Sequence, residues 1–126
     1  MRGLTYDTGA LIAAECRDVS MWALHDQTLA RDVRPVVPAP VLAQAWRGGP
    51  QHNLARLLKG CVLEAFAENA ARDVGRLLAA SKTADIVDAA VVVSALLRGD
   101  VVVTSDPTGL RALADALAVR LDVHVV

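Results

Sequence analysis

Aromatic side chains are scarce in this chain: two tryptophans, one tyrosine and one phenylalanine among 126 residues. That scarcity disfavours a base-stacking surface. With 54% hydrophobic residues carried mainly by Ala, Val and Leu, it predicts a tightly packed aliphatic core. Cysteine is equally short. Cys16 and Cys61 lie far apart and form no CxxC, so they read as reduced, small apolar residues in a cytoplasmic protein. Neither sign of charge is in excess, and the net charge of −1 gives no global basic footprint for nucleic acid. A local basic patch can still hide in that sum. Long apolar runs are also missing, since none approaches the roughly 20 residues of a membrane span. The apolar N-terminal stretch is interrupted by Asp7 and carries one basic residue, Arg2, unlike a secretory leader. The expectation is a protein without membrane association. The eight glycines fall into no phosphate-loop or dinucleotide pattern. His25, His52 and His124 show no ligand spacing, and no Ser/His/Asp set is present.

What is present is an alternation of short strands and helices. Strands are expected at residues 4–7, 36–38, 61–64, 101–104 and 123–126. Helices are expected at 8–17, 20–31, 40–47, 51–59, 68–80, 85–98 and 107–117. Ser20 is a candidate N-cap for the second helix, and Pro40 suits the first turn of the third. The valines at 91–93 have strand propensity, but the length of the segment from Asp85 to Arg98 makes it a helix. Alternation of this kind predicts one α/β domain over residues 1–126, with a mainly parallel central sheet of four to five strands and helices on both faces.

Three aspartates stand out against this pattern. Asp7 ends the first strand, Asp106 follows the apolar run Val101–Val103, and Asp88 sits among the core residues of the long helix. Ligands of open parallel sheets gather at the carboxyl ends of strands. Right-handed crossovers bring the long helix over the same edge. Converging carboxylates repel and hold protons unless cations neutralise them, and hard oxygen donors select Mg²⁺ or Mn²⁺. Each acid has a plainer reading as a helix cap, and Asp85 as a complement to its helix dipole. Thr8, Asp85, Thr104 and Ser105 adjoin the three acids and are candidates to support them. Arg47 and Lys82 are candidates for contact with substrate phosphates. Trp22 and Trp46 are expected to pack, and Glu15 to be solvated.

The pieces Tyr6-Asp7-Thr8-Gly9-Ala10-Leu11, Asp88-Ala89 and Val103-Thr104-Ser105-Asp106, in their order and spacing, resemble the PIN-domain family, and in particular its small VapC-like toxin endoribonucleases. The likeness extends over essentially the whole chain. It implies a PIN-like sheet flanked by helices, magnesium-dependent hydrolysis of RNA phosphodiesters, a homodimer, and a cognate antitoxin that blocks the site. The family pattern departs at one point. Its usual glutamate in the helix after the second strand corresponds to Gln44 here. An amide keeps an oxygen acceptor but loses a charge, which at ~4 Å and an effective dielectric of about 20 amounts to about 4 kcal/mol per unit charge. The expectation is a weakened second metal position, with Gln44 orienting water or substrate. Two alternatives follow: a PIN-like module that binds RNA or protein without cutting, and a phosphohydrolase acting on a smaller substrate.

Overall fold

The computed structural model describes residues 2–126. Its middle strand is β1 (Leu4–Tyr6), flanked by β2 (Val36–Pro38) on one side and β4 (Val101–Thr104) on the other. β3 (Val62–Glu64) pairs outside β2, and β5 (Val123–Val125) outside β4. All four pairings are parallel, in the order β3-β2-β1-β4-β5. The chain builds outward from β1 to β3, then returns to the far side of β1 for β4. The order therefore reverses between β1 and β4, which makes their carboxyl edge the switch point of the sheet.

Strand side chains alternate between faces. Tyr6 points to His25 on α2 (Val19–Ala30), and Thr5 points to Arg98 on α6 (Ile86–Arg98). On the first side, α1 (Thr8–Glu15) packs with α2, with α3 (Ala39–Ala45) and with α4 (His52–Leu58). On the second, α5 (Glu68–Ser81), α6 and α7 (Thr108–Ala116) pack on one another, and α6 crosses β1, β2 and β4. Helices thus cover both faces, as the alternating pattern predicts. No helix of the described residues is long and apolar enough to cross a membrane.

The three consecutive valines of α6 do not make a strand. Every residue from Ala89 to Ala95 is buried, so the helix is enclosed nearly all round. Asp85 caps its start by accepting from the Asp88 amide at 3.0 Å, and Gly99 ends it at φ 70°, the left-handed conformation that glycine adopts without penalty. At the C-terminal end, Arg98 fans out into the sheet. Its guanidinium donates to Asp100 Oδ2 and Thr5 Oγ1, both at 2.9 Å, and to Ser94 Oγ at 2.7 Å, and it pairs with Glu64. Asp100 is buried beneath Gly3, where a Cβ would meet its Oδ1 at 2.5 Å. This network ties α6 to β1, β3 and the start of β4, and so fixes where the first turn of α6 lies.

Two local expectations are corrected. The N-cap of α2 is Asp18, which accepts from the Met21 amide at 2.9 Å, while Ser20 is already inside the helix and donates back to Asp18. An ionised carboxylate is the stronger acceptor for the orphan amides of a first turn. Glu15 is not a solvated surface acid. Its Oε2 accepts from the Leu54 amide at 2.6 Å, capping α4 from a separate element.

Candidate active site

The turns that follow β1 and β4 lie side by side. The Asp7 amide donates to the Val103 carbonyl at 3.1 Å, which carries the strand pairing one step past Tyr6 and sets Asp7 beside Thr104. Asp7 Oδ1 caps α1 by accepting from the Ala10 amide at 3.0 Å. Asp106 Oδ1 accepts from the Thr108 amide at 3.1 Å at the start of α7. The capping role and a ligand role do not compete, because each carboxylate has a second oxygen. Asp88 enters from the same helical layer as α7, in the first turn of α6.

The charges of these acids bear on one another. Burial is the first cause that raises the Asp7 carboxyl above the ordinary range. The Thr104 hydroxyl and the amides of Ala10 and Gly9 work against it, and the charge of Asp106 adds to it. Asp88 is pushed up to about 6, first by desolvation and then by the charges of Asp85, Asp7 and Asp106. A carboxylate that responds to three others lies within one shared field.

Close packing of glycine holds the turns together. A Cβ on Gly9 would stand 2.2 Å from Ser105 Oγ, and one on Gly109 would stand 2.7 Å from Asp88 Oδ2. Each glycine is the second residue of its helix, α1 or α7. Glycine in a helix costs about 1 kcal/mol relative to alanine. That oddity, Thr8-Gly9 after Asp7 and Thr108-Gly109 after Asp106, is the sequence signal that could have marked both positions.

The remaining expected residues are placed as follows. Gln44 is exposed on α3, and its Oε1 accepts from Thr8 Oγ1 at 2.6 Å. Thr8 therefore bonds the amide and not an acid. The Thr104 hydroxyl accepts from the Asp106 amide at 3.0 Å and donates to the Asp106 carbonyl at 3.1 Å, and its position beside Asp7 works against the rise of that carboxyl. Ser105 is exposed and touches the Gly9 turn. Arg47 is turned onto the carbonyls of Ala43 and Trp46, so its guanidinium is committed locally. Lys82 is an exposed, left-handed C-cap of α5 at φ 57°. Trp46 is exposed where packing was expected, because α3 ends at Ala45 and the chain turns outward. Asp106 is exposed and Asp88 half-buried, so Asp7 alone among the three carries the burial their apolar flanks lead one to expect.

Among the described residues, no group of three or more His, Cys, Asp or Glu side chains stands close enough together to hold a metal ion. The donor chemistry nonetheless fits Mg²⁺ or Mn²⁺: all donors are hard oxygens, and their charges are mutually unfavourable without a cation. Mg²⁺ is commonly held by one or two carboxylates with water completing its octahedron, so a closed cage is not required.

No protein-family model matches the chain, and no curated protein matches it by sequence. Solved structures do match by shape. VapBC2 from Rickettsia felis, bound to a DNA fragment from its promoter, aligns with a TM-score of 0.72 at 14% identity over 98% of each chain. FitAB bound to the IR36 DNA fragment aligns with a TM-score of 0.66 at 17% identity, over 97% of this chain and 94% of that one. PAE2754 from Pyrobaculum aerophilum aligns with a TM-score of 0.61 at 17% identity, over 91% and 86%. At these identities the likeness is one of architecture: a PIN-like α/β fold with a five-stranded parallel sheet.

Proposed function

We propose that the chain is a metal-dependent endoribonuclease of the toxin–antitoxin kind. Asp7, Asp88 and Asp106 would hold Mg²⁺ or Mn²⁺, with Asp85 beside Asp88. The single observation that carries this reading is the placement of Asp7 and Asp106 on adjacent turns at the switch point of a parallel sheet, with Asp88 pressed against Gly109 of the helix that follows Asp106. When bound, the ion supplies a more acidic water and steadies the developing charge on the phosphate. The chain's own residues do the positioning. The caps at Ala10 and Thr108 fix one oxygen of Asp7 and of Asp106. Thr8 fixes the oxygen of Gln44, which leaves the amide nitrogen to donate to a phosphate oxygen or a water. The complexes VapBC2 and FitAB support a cognate antitoxin as partner. Homodimerisation and a cytoplasmic setting belong to the same reading.

The test is cleavage of single-stranded RNA with added Mg²⁺ or Mn²⁺ by the wild type and by Asp7→Asn. Loss of cleavage in the variant is expected, and equal cleavage by both proteins would reject the assignment.

A second reading, a PIN-like module that binds without cutting, draws on Gln44, whose oxygen is already engaged by Thr8. Gln44→Glu separates the two. A large gain in metal affinity and cleavage supports the weakened module, whereas a fall supports an amide that works as it stands.

A further inference from the structure

The acids at the strand ends repel a polyanion, so a nuclease built this way must hold RNA by cations placed elsewhere. Resting on the nuclease reading, we propose that RNA phosphates bind in a basic groove across α2 and α4, on both sides of Trp22. The groove has two lobes that meet at Trp22 and Arg56. Arg17 and Asn53 line one, and Lys59 and Asp26 the other. The Arg56 guanidinium stacks 4.2 Å from the centroid of the Trp22 ring. Such stacking fixes the plane of an otherwise flexible side chain and leaves its N–H edge free for a phosphate. The indole is anchored in turn: its Nε1 donates to the Ala14 carbonyl at 2.9 Å, and its ring meets His25 edge-on at 5.6 Å.

The cations here are available. None of Arg17, Arg56 and Lys59 takes part in an ion pair. Asp18 and Glu15 keep their charges but are tied to the Met21 amide and Ser20 and to the Leu54 amide, and neither lines the groove. Asp26 is the one acid lining the groove, so three cations face a single carboxylate on a chain whose net charge is −1. An acidic peptide would meet the same cations. RNA is favoured by position, because Ala14, which anchors Trp22, lies at the far end of α1 from Asp7. An eight-residue helix is about 12 Å long, so a strand in the groove comes within a few nucleotides of the acids.

The experiment is fluorescence anisotropy of a labelled single-stranded RNA with the full chain in EDTA, where metal-dependent cleavage is silent. Arg17→Gln/Arg56→Ala/Lys59→Gln should weaken binding about tenfold or more, and should flatten the slope of log K against log salt by about 2 for three lost contacts. Thermal melting verifies folding. The exposed pair Arg17→Gln/Lys59→Gln, which leaves the Trp22 stack intact, carries the test if the triple variant melts early. Unchanged affinity and slope would overturn the proposal, as would wild-type binding of polyglutamate in place of RNA. The outcomes separate from those of the nuclease reading. Groove-dependent binding without cleavage in Mg²⁺ or Mn²⁺ sinks the nuclease and keeps the groove. Cleavage with unchanged KM in the triple variant does the reverse.

Discussion

Asp88 Oδ2 lies 2.7 Å from the point where a methyl group on Gly109 would stand, closer than a Cβ atom approaches a neighbour. The contact presses the first turn of α7 against the carboxylate on α6, and so joins the two helices that bring Asp88 and Asp106 to one edge. Gly109 does not have a positive φ, so alanine suits its backbone and should add about 1 kcal/mol of helix propensity. Gly109→Ala should therefore leave global stability within about 1 kcal/mol of the wild type, while the Asp88 carboxylate is displaced. The expected result is a normal melting temperature in EDTA with a much smaller rise on adding Mn²⁺. An undiminished rise would show that Asp88 plays no part in holding the ion.

Much of this arrangement is legible in the sequence itself. Asp7 and Asp106 follow apolar strand runs and precede helix starts, a purely local pattern. The long helix declares itself by its length from Asp85 to Arg98, despite three valines. What stayed hidden depends on partners far along the chain. Arg98 was silent because Thr5 and Glu64 are 93 and 34 positions away. Glu15 read as solvated because nothing local announces the Leu54 amide, 39 positions on. The degree of exposure was misread for the same reason. Asp88 is flanked in sequence by core residues, yet the first turn of α6 projects beyond the sheet edge and leaves it half-open.

The shared field of the acids has a pH signature. The folded state raises Asp88 from 3.8 to about 6, so it binds the proton more tightly than the unfolded chain. Stability is then lost as pH rises through that window, and the penalty is complete above it. Two units would correspond to about 3 kcal/mol, but the side chain is half-exposed and solvent screening reduces this to about 1 kcal/mol. Asp88→Asn should therefore melt about 4 °C above the wild type near neutral pH in EDTA. The difference should vanish below about pH 3, under the unfolded value of 3.8, where Asp88 is protonated in both the folded and the unfolded chain. A gap between variant and wild type that is the same at both pH values would show that neither burial nor the neighbouring acids disfavour the Asp88 charge.

The Arg98 network tests the scaffold rather than the chemistry. Arg98→Met keeps the length of the stem but leaves Asp100, whose side chain is 6% exposed, without its cation. Removing one partner of a fully buried pair costs about 3–5 kcal/mol. Arg98 itself is 30% exposed, so about 2 kcal/mol is expected by urea denaturation. Arg98→Met/Asp100→Asn should recover part of that loss, since the stranded charge is gone. A double variant less stable than the single one would mean that Asp100 is held by Thr5 and not by the arginine.

Behind the acids, on the opposite face of the sheet, the Tyr6 hydroxyl and His25 Nδ1 share a hydrogen bond at 2.9 Å, and both side chains are buried. Burial pushes the tyrosine well above its ordinary range and His25 below its own. Tyr6→Phe leaves Nδ1 without its partner, at a cost of about 1–3 kcal/mol near neutral pH. The pH dependence discriminates between a lost hydrogen bond and a simple packing defect. A histidine with a lowered folded pKa contributes stability above its unfolded value of about 6.5, and that contribution is lost as pH falls. Burial holds the His25 pKa down; a hydroxyl that donates to Nδ1 adds to this by bonding only the neutral ring, so its removal shrinks the acid loss. The gap between the melting temperatures of Tyr6→Phe and the wild type should therefore narrow as pH drops below about 6.5. A gap that holds constant across that range would assign the tyrosine to packing alone.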